Sequence, residues 1–226
     1  MAAPASTPEA TGPGVTRRLV LLGGGEHARV VADAAGTGGW LLAGYTDHAR
    51  TGGLPGLPYL GTDDGLADVL PGMVGPVVLV LGFGGPTAAR RRAVERLGGS
   101  ASWATVIHPA AWVSSSAVVG EGAVILAGAI VNTGAVIGPH AIVNSGAIVE
   151  HDVRVGAFAH VAPGVVIGGG AEIGEDAFLG LGAVIRDHVT VGRGALVAMG
   201  AVVAADVAAD ARVMGVPARG QAGDGG

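Results

Sequence analysis

Seven histidines and no cysteine set the limits of the side-chain chemistry this 226-residue chain can do. One histidine, His151, stands between two acids in Glu150-His151-Asp152. An imidazole with an unperturbed pKa of about 6.5 can take a proton at neutral pH. A neighbouring carboxylate, Asp152 or Glu150, can hold its tautomer, and positioned acid–base help of this kind is worth roughly 10²–10⁴-fold. No thiol nucleophile exists, and Ser145 has only Asn144 beside it, so no covalent intermediate is expected. A second group of residues lies near the start. Gly23, Gly25 and Ala28 fit G-x-G-x-x-G/A, and Gly23-Gly24-Gly25 runs into Glu26-His27. Backbone N–H groups there, at the start of a helix, make a site for a phosphate that His27 could reach. Asp47 follows about twenty residues later, where a Rossmann-type unit places an acid for a ribose hydroxyl.

The element that must position His151 is a repeat. From Ala111 to Asp206 the chain divides into sixteen hexads with no insertion. The third residue is always Val, Ile or Leu, the first is always Ala or Val, and the last is most often Gly. A period held this strictly reads as a parallel β-helix in which each hexad is a short strand and a corner. Third-position aliphatics stack inward at the ladder spacing of roughly 4.8 Å, and a corner glycine can take φ > 0. His151 lies in a corner. His160, second in its hexad, sits at an outward position. His140 and His188 close their hexads and read as solvated or interface corners, and Asn132 and Asn144 read equally as a polar corner ladder.

The glycine loop belongs to a different unit. Leu19–Leu22 is a short apolar run before the glycines, and Glu26–Ala35 reads as a helix. Trp40–Tyr45 is a second strand ending at Asp47, and Thr62-Asp63-Asp64 starts a short helix toward Leu70. Pro76–Leu81 is a third strand without alternation, hence buried on both faces. It ends in Gly82-Phe83-Gly84-Gly85, a second glycine loop, followed by a basic helix over Pro86–Leu97 and a last strand over Trp103–Ile107. Ligands in such sheets sit beyond the carboxyl ends of the strands. Residues 17–106 are therefore expected to form a small Rossmann-like α/β domain holding one nucleotide, and 107–219 the β-helix. The flanks 1–16 and 220–226 read as disordered.

Composition removes several function classes. The chain is 50% hydrophobic but 4% aromatic, as stacked Val and Ile in a β-helix require. Net charge is −5, Lys is absent, and no basic block suggests nucleic acid. No apolar run is long enough to span a membrane, and the start has neither a charged n-region nor an apolar h-region. The absence of Cys fits a cytoplasmic protein.

The order of these features resembles the bacterial nucleotide-sugar acetyltransferases of the sialic-acid O-acetyltransferase and UDP-4-amino-sugar N-acetyltransferase type. GGGEHARVVADA near the start, IVNSGAIVEHD and FAHVAPG in the hexads, and GVPAR (Gly215–Arg219) carry the resemblance. It implies a left-handed β-helix with three hexads per coil, a homotrimer with active sites between subunits, and acetyl-CoA as co-substrate, with no metal. It makes His151 the general base, oriented by Asp152, with Asn144 and His160 near the acceptor and the acetyl group. A coil of three hexads stacks Gly169 on His151, and the resemblance gives the Gly169 N–H to the thioester carbonyl. Acetyl-CoA would continue toward Ala198, Met199, Gly200 and Arg219. Gly23, Gly24, Gly25, His27, Asp47 and Gly82 would hold the nucleotide-linked amino sugar. The chain departs from the family at Gly82-Phe83-Gly84-Gly85, where relatives have amides or acids, and at His48, where relatives often have a second acid or amide.

The expected reaction is direct N-acetylation of an amino sugar carried on a nucleotide. The alternatives are O-acetylation of a sialic-acid-like sugar, or acyl transfer to a specialised metabolite. A γ-type carbonic anhydrase would need two histidines five residues apart, a spacing absent here. A non-enzymatic nucleotide sensor on a trimeric scaffold is disfavoured by the His151 corner and Gly169.

Overall fold

The computed structural model describes residues 18–48, 53–69, 73, 77–82, 87–98 and 101–220. Gly220, expected in a disordered flank, is in a strand with Arg219; the rest of the expected flanks, the end of the short helix at Leu70 and the loop Phe83–Gly85 lie outside the described residues. The chain divides into two compact units, one ending at Pro109 and the other beginning at Ala110.

In the first unit a three-stranded parallel sheet has the order β2-β1-β3, with β1 at Arg18–Leu22, β2 at Leu41–Thr46 and β3 at Val77–Leu81. Leu19 to Leu22 and Leu79 to Leu81 are buried, as a central parallel sheet demands. Helix α1 (Glu26–Thr37) follows β1 and buries Ala28, Val31, Ala34 and Ala35. It runs two residues past the expected end and stops where Gly38 N–H bonds Ala34 O. A 3₁₀ turn (Asp63–Gly65) and helix α2 (Leu66–Val69) replace the single short helix, and Thr62 makes no side-chain cap bond. Helix α3 is Thr87–Leu97. The strand expected over Trp103–Ile107 is split: Trp103 makes one parallel bridge to Leu79, and only Val106–Ile107 (β4) is extended in a strand.

The second unit is a parallel β-solenoid. Sixteen two-residue strands, from β5 (Trp112–Val113) to β20 (Val202–Val203), correspond one to one with the hexads. They form three parallel sheets in which each residue pairs with the one eighteen later, as in Ile142↔His160, Ile148↔Val166 and Arg154↔Glu172. Three hexads therefore make one coil. From Ala123 to Val203 every first and third position is buried. Nearly every corner is a tight turn in which the first residue of a hexad donates its N–H to the fourth of the preceding one, as in Ala147 N to Asn144 O at 3.1 Å. The sixth position takes positive φ, which accounts for its glycines. The strands of one sheet present Trp112, Ile130, Ile148, Val166, Val184 and Val202 outward, an apolar stripe along the solenoid. Two further strands, β21 (Arg212–Met214) and β22 (Arg219–Gly220), close the chain as an antiparallel pair, with β21 parallel to the hexad strand Leu196–Val197. Among the described residues no helix is long and apolar enough to cross a membrane.

The stacked aliphatics carry this unit, because a single hexad has no core of its own. Replacing a fully buried rung away from the corners, Ile137→Ala, should lower unfolding free energy by about 2–5 kcal/mol in denaturant titration.

Candidate active site

The His151 corner is built by glycines on adjacent coils. A Cβ placed on Gly169 would lie 2.5 Å from His151 Nε2 and 2.6 Å from Cε1, so the imidazole rests directly on the Gly169 backbone. A Cβ on Gly134, one coil earlier, would lie 2.5 Å from Asp152 Oδ1. The carboxylate thus occupies space that only glycine leaves open. Asp152 itself has φ +59° at a position where most corners use glycine, a strained conformation for a side chain that the site retains.

This arrangement decides between the two acids. Asp152 Oδ2 is 3.0 Å from His151 Nδ1. Glu150 is turned away: its Oε2 accepts from Asn132 Nδ2 at 3.0 Å, one coil earlier, and receives the His151 backbone N–H at 3.4 Å. With a carboxylate on Nδ1, the neutral ring carries its proton there and leaves Nε2 as the acceptor, while the face of the ring lies over Gly169. Both His151 and Asp152 are exposed, so a ligand can reach them.

The Gly169 N–H is also available. Gly168 N donates to Ile185 O and Gly170 N to His151 O, both at 2.9 Å, while the N–H of Gly169 has no acceptor among the described residues. One corner therefore joins a proton acceptor to a backbone donor.

Asn144 and His160 form a separate buried pair. Asn144 Oδ1 accepts the Ser145 N–H at 2.8 Å, which turns Nδ2 toward His160 Nε2 at 3.3 Å. An amide NH₂ only donates, so Nε2 accepts and the His160 proton sits on Nδ1. His160 packs edge-on against Phe178 and is 6% exposed, although its place in the hexad faces outward. His140, expected in a solvated or interface corner, is likewise buried and stacks on Phe158. Ala198, Met199 and Gly200 occupy the corner column of Asn144, three coils on, rather than that of His151, and Met199 is strongly exposed. Arg219 is exposed on β22, with its guanidinium against Ala218 O.

In the first unit Gly23, Gly24, Gly25, Asp47 and Gly82 gather at the carboxyl ends of the three strands. Gly23 N bonds Thr46 O at 2.9 Å and Gly82 N bonds Leu22 O at 2.7 Å. Asp47 Oδ2 accepts the Gly24 N–H at 3.0 Å, and Oδ1 lies 2.7 Å from His48, which is exposed. Gly24 has no room for a side chain, because a Cβ would meet the Tyr45 ring at 2.5 Å. Gly82 similarly faces Gly23 O at 2.8 Å and Ala28 Cβ at 3.1 Å, the close helix–strand approach that the glycine pattern requires. His27 opens α1, and burial, reinforced by Arg90, holds its pKa below the ordinary histidine value. Arg90 was not singled out by the sequence: α3 reads as a basic helix, and this arginine is fully buried in it. Asn132 and Gly134 were also missed as site residues. Each lies eighteen residues before a site residue, a signal that becomes legible once the coil length is known. Among the described residues no group of three or more His, Cys, Asp or Glu could hold a metal ion.

The profile of the PglD N-terminal domain family matches residues 18–97. The acetyltransferase domain of PglB from Neisseria gonorrhoeae FA1090, in complex with acetyl coenzyme A, is 33% identical, with 92% of this chain and 100% of that one covered and a TM-score of 0.84. GDP-perosamine N-acetyltransferase from Caulobacter crescentus, a histidine-to-alanine variant in complex with CoA and GDP-perosamine, is 33% identical, with 92% and 98% covered and a TM-score of 0.86. A search of the curated protein sequences returned no match.

Two measurements test this geometry. Gly169→Ala puts a methyl group into the imidazole's place, and should cut any activity of the corner at least about tenfold while the thermal midpoint stays near that of the parent. The lowered His27 pKa means that the unfolded chain takes up this proton more readily than the folded one. Stability is therefore higher above the unfolded value of about 6.5 and is lost as pH falls below it toward the folded value. The thermal midpoint of the first unit should drop between about pH 7.5 and 5.5, and His27→Gln should flatten that drop.

Proposed function

The chain belongs to the nucleotide-sugar acetyltransferase family with a hexapeptide-repeat β-helix, and within it we propose an N-acetyltransferase that moves acetyl from acetyl-CoA to the amino group of a nucleotide-linked sugar. The observation that carries this reading is the His151 corner: a ring held by Asp152 with Nε2 lying against Gly169. It occurs in a chain 33% identical to a GDP-perosamine N-acetyltransferase over nearly its whole length.

In the proposed reaction His151 is the general base. The neutral acceptor amine attacks the thioester carbon, and a C–N bond forms. Nε2 takes the proton released from the attacking nitrogen. The carbonyl oxygen gathers negative charge and is met by the Gly169 N–H. When the C–S bond breaks, the proton on Nε2 passes to the CoA sulfur. Asp152 keeps the ring in its Nδ1–H tautomer and stabilises the imidazolium between these steps. Asn144 and His160, a buried neutral pair, help to place the reacting groups. CoA would extend toward Ala198, Met199, Gly200 and Arg219.

The first unit would hold the nucleotide. The N-terminus of α1 offers backbone donors for a phosphate, the N–H groups of Gly23, Gly24 and Gly82 being bonded to Thr46 O, Asp47 Oδ2 and Leu22 O. Asp47 Oδ1, engaged among the described residues only by the exposed His48, would accept a ribose hydroxyl. We further propose a homotrimer working in the cytoplasm, where acetyl-CoA is available. The apolar stripe from Trp112 to Val202 supports it: its strands lead directly into the corners that contain His151 and Gly169, so a second copy covering the stripe would bring its own surface to the edge of the site.

CoA release from acetyl-CoA should be fast with one member of a panel of UDP-, dTDP- and GDP-linked amino sugars and slow with its hydroxyl counterpart. His151→Ala should reduce kcat by about 10²-fold or more. Release with a hydroxyl acceptor alone would replace the N-acetyl reading by O-acetylation. The trimer is tested separately: Ile148→Arg on the stripe should shift the molecular mass in light scattering toward the monomer.

A further inference from the structure

The hexad corners share one economy of hydrogen bonding. At three corners the fourth residue of the hexad uses a side-chain oxygen to accept the backbone N–H of the fifth. Asn132 Oδ1 takes the Thr133 N–H at 3.1 Å, and Asn144 Oδ1 takes the Ser145 N–H at 2.8 Å. Glu150 Oε2 takes the His151 N–H at 3.4 Å. These corners have satisfied the donor of their fifth residue internally.

Eighteen residues after Glu150, in the same column, stands Gly168. It has no side chain with which to do this. The next N–H, that of Gly169, is left without an acceptor among the described residues, in the corner on which the His151 ring rests. We infer that Gly168 is a positioning residue of the reaction: its missing side chain keeps the Gly169 N–H unspent for the thioester oxygen. This rests on the reading of Gly169 given above and adds the residue that makes it possible. The close approach of the next coil supports the need for glycine, since a Cβ on Gly168 would lie 2.5 Å from Asp187 N. Removing a single donor of this kind costs roughly 10²–10³ in kcat.

The crowding at Asp187 is the same for any side chain, so two substitutions separate the effects. Gly168→Ala introduces the Cβ alone. Gly168→Asn introduces the Cβ and the capping oxygen that the fold uses at positions 132 and 144. The inference expects Gly168→Asn to lose about 10²-fold in kcat relative to Gly168→Ala, with KM for acetyl-CoA within about threefold between the two. Equal kcat in the two variants would overturn it. If both variants fail to fold, amide exchange in the unaltered protein decides. The Gly169 amide should exchange faster than those of Thr133 and Ser145, and should become protected on adding acetonyl-CoA, which keeps the carbonyl but has no cleavable thioester. A Gly169 amide already protected in the free protein refutes the role assigned to Gly168. An amide that exchanges freely but ignores acetonyl-CoA refutes the reading of Gly169 itself, and the assignment of Gly168 falls with it. A response to acetonyl-CoA together with equal kcat in the two variants leaves that reading intact and removes Gly168 alone.

Discussion

The second unit depends on one constraint, the parallel ladder that sets residue i against residue i + 18 at strand spacing. Its hydrogen bonds run without a shift from coil to coil, as in Ile148 N to Val165 O and Val166 N to Ala183 O. At this spacing the corners come so close that side chains at the fourth position are often excluded. A Cβ on Gly156 would lie 2.5 Å from Glu175 N, and one on Gly174 equally near Arg193 N. A functional group can stand at a corner only where the coil above or below yields space. Gly134 beneath Asp152 and Gly169 above His151 are such places. Gly134 beneath Asp152 follows a pattern that recurs where Gly122 underlies His140 and Gly170 underlies His188, while Gly169 adds a side-chain-free corner directly against the His151 ring.

The same principle operates in the first unit through different elements. Gly24 gives way to the Tyr45 ring, and Gly82 admits Ala28 at the mouth of the sheet. Asp47 ties the end of β2 to the loop after β1 through the Gly24 N–H. Tyr59 adds a bond to the Asp47 carbonyl oxygen at 3.1 Å. The loop is therefore shaped before any ligand arrives, which reduces the ordering cost of binding. Behind it desolvation of the His27 ring, reinforced by the charge of the buried Arg90, favours its neutral form.

Electrostatics at the His151 corner follow from which carboxylate can reach the ring. Glu150 and Asp152 are both adjacent in sequence, yet they do different work. Asn132 draws Glu150 down one coil, while the positive φ of Asp152 turns its side chain toward Nδ1. An exposed pair of this kind adds little to stability. Its consequence is orientation: it selects the ring nitrogen that is left to accept a proton.

Much of this was written in the chain. The sixteen hexads determined the strands, the buried column and the place of every corner, because a period of six leaves no other way to bury a lone aliphatic per repeat. The glycine loops and Asp47 marked the strand ends of the first unit, since only glycine permits those backbone approaches. Tertiary structure decided what local periodicity cannot express. It set the number of hexads per coil, and with it the stacking of His151 on Gly169 and of Asp152 on Gly134. It buried His160, whose position in its hexad reads as outward, and it buried Arg90 in a helix that the sequence marks only as basic. It also divided the run Trp103–Ile107 between a single bridge and a short strand. The physical reason is common to all of these: burial and pairing depend on which distant segment covers a residue, and a pattern of neighbours along the chain contains no information about that cover.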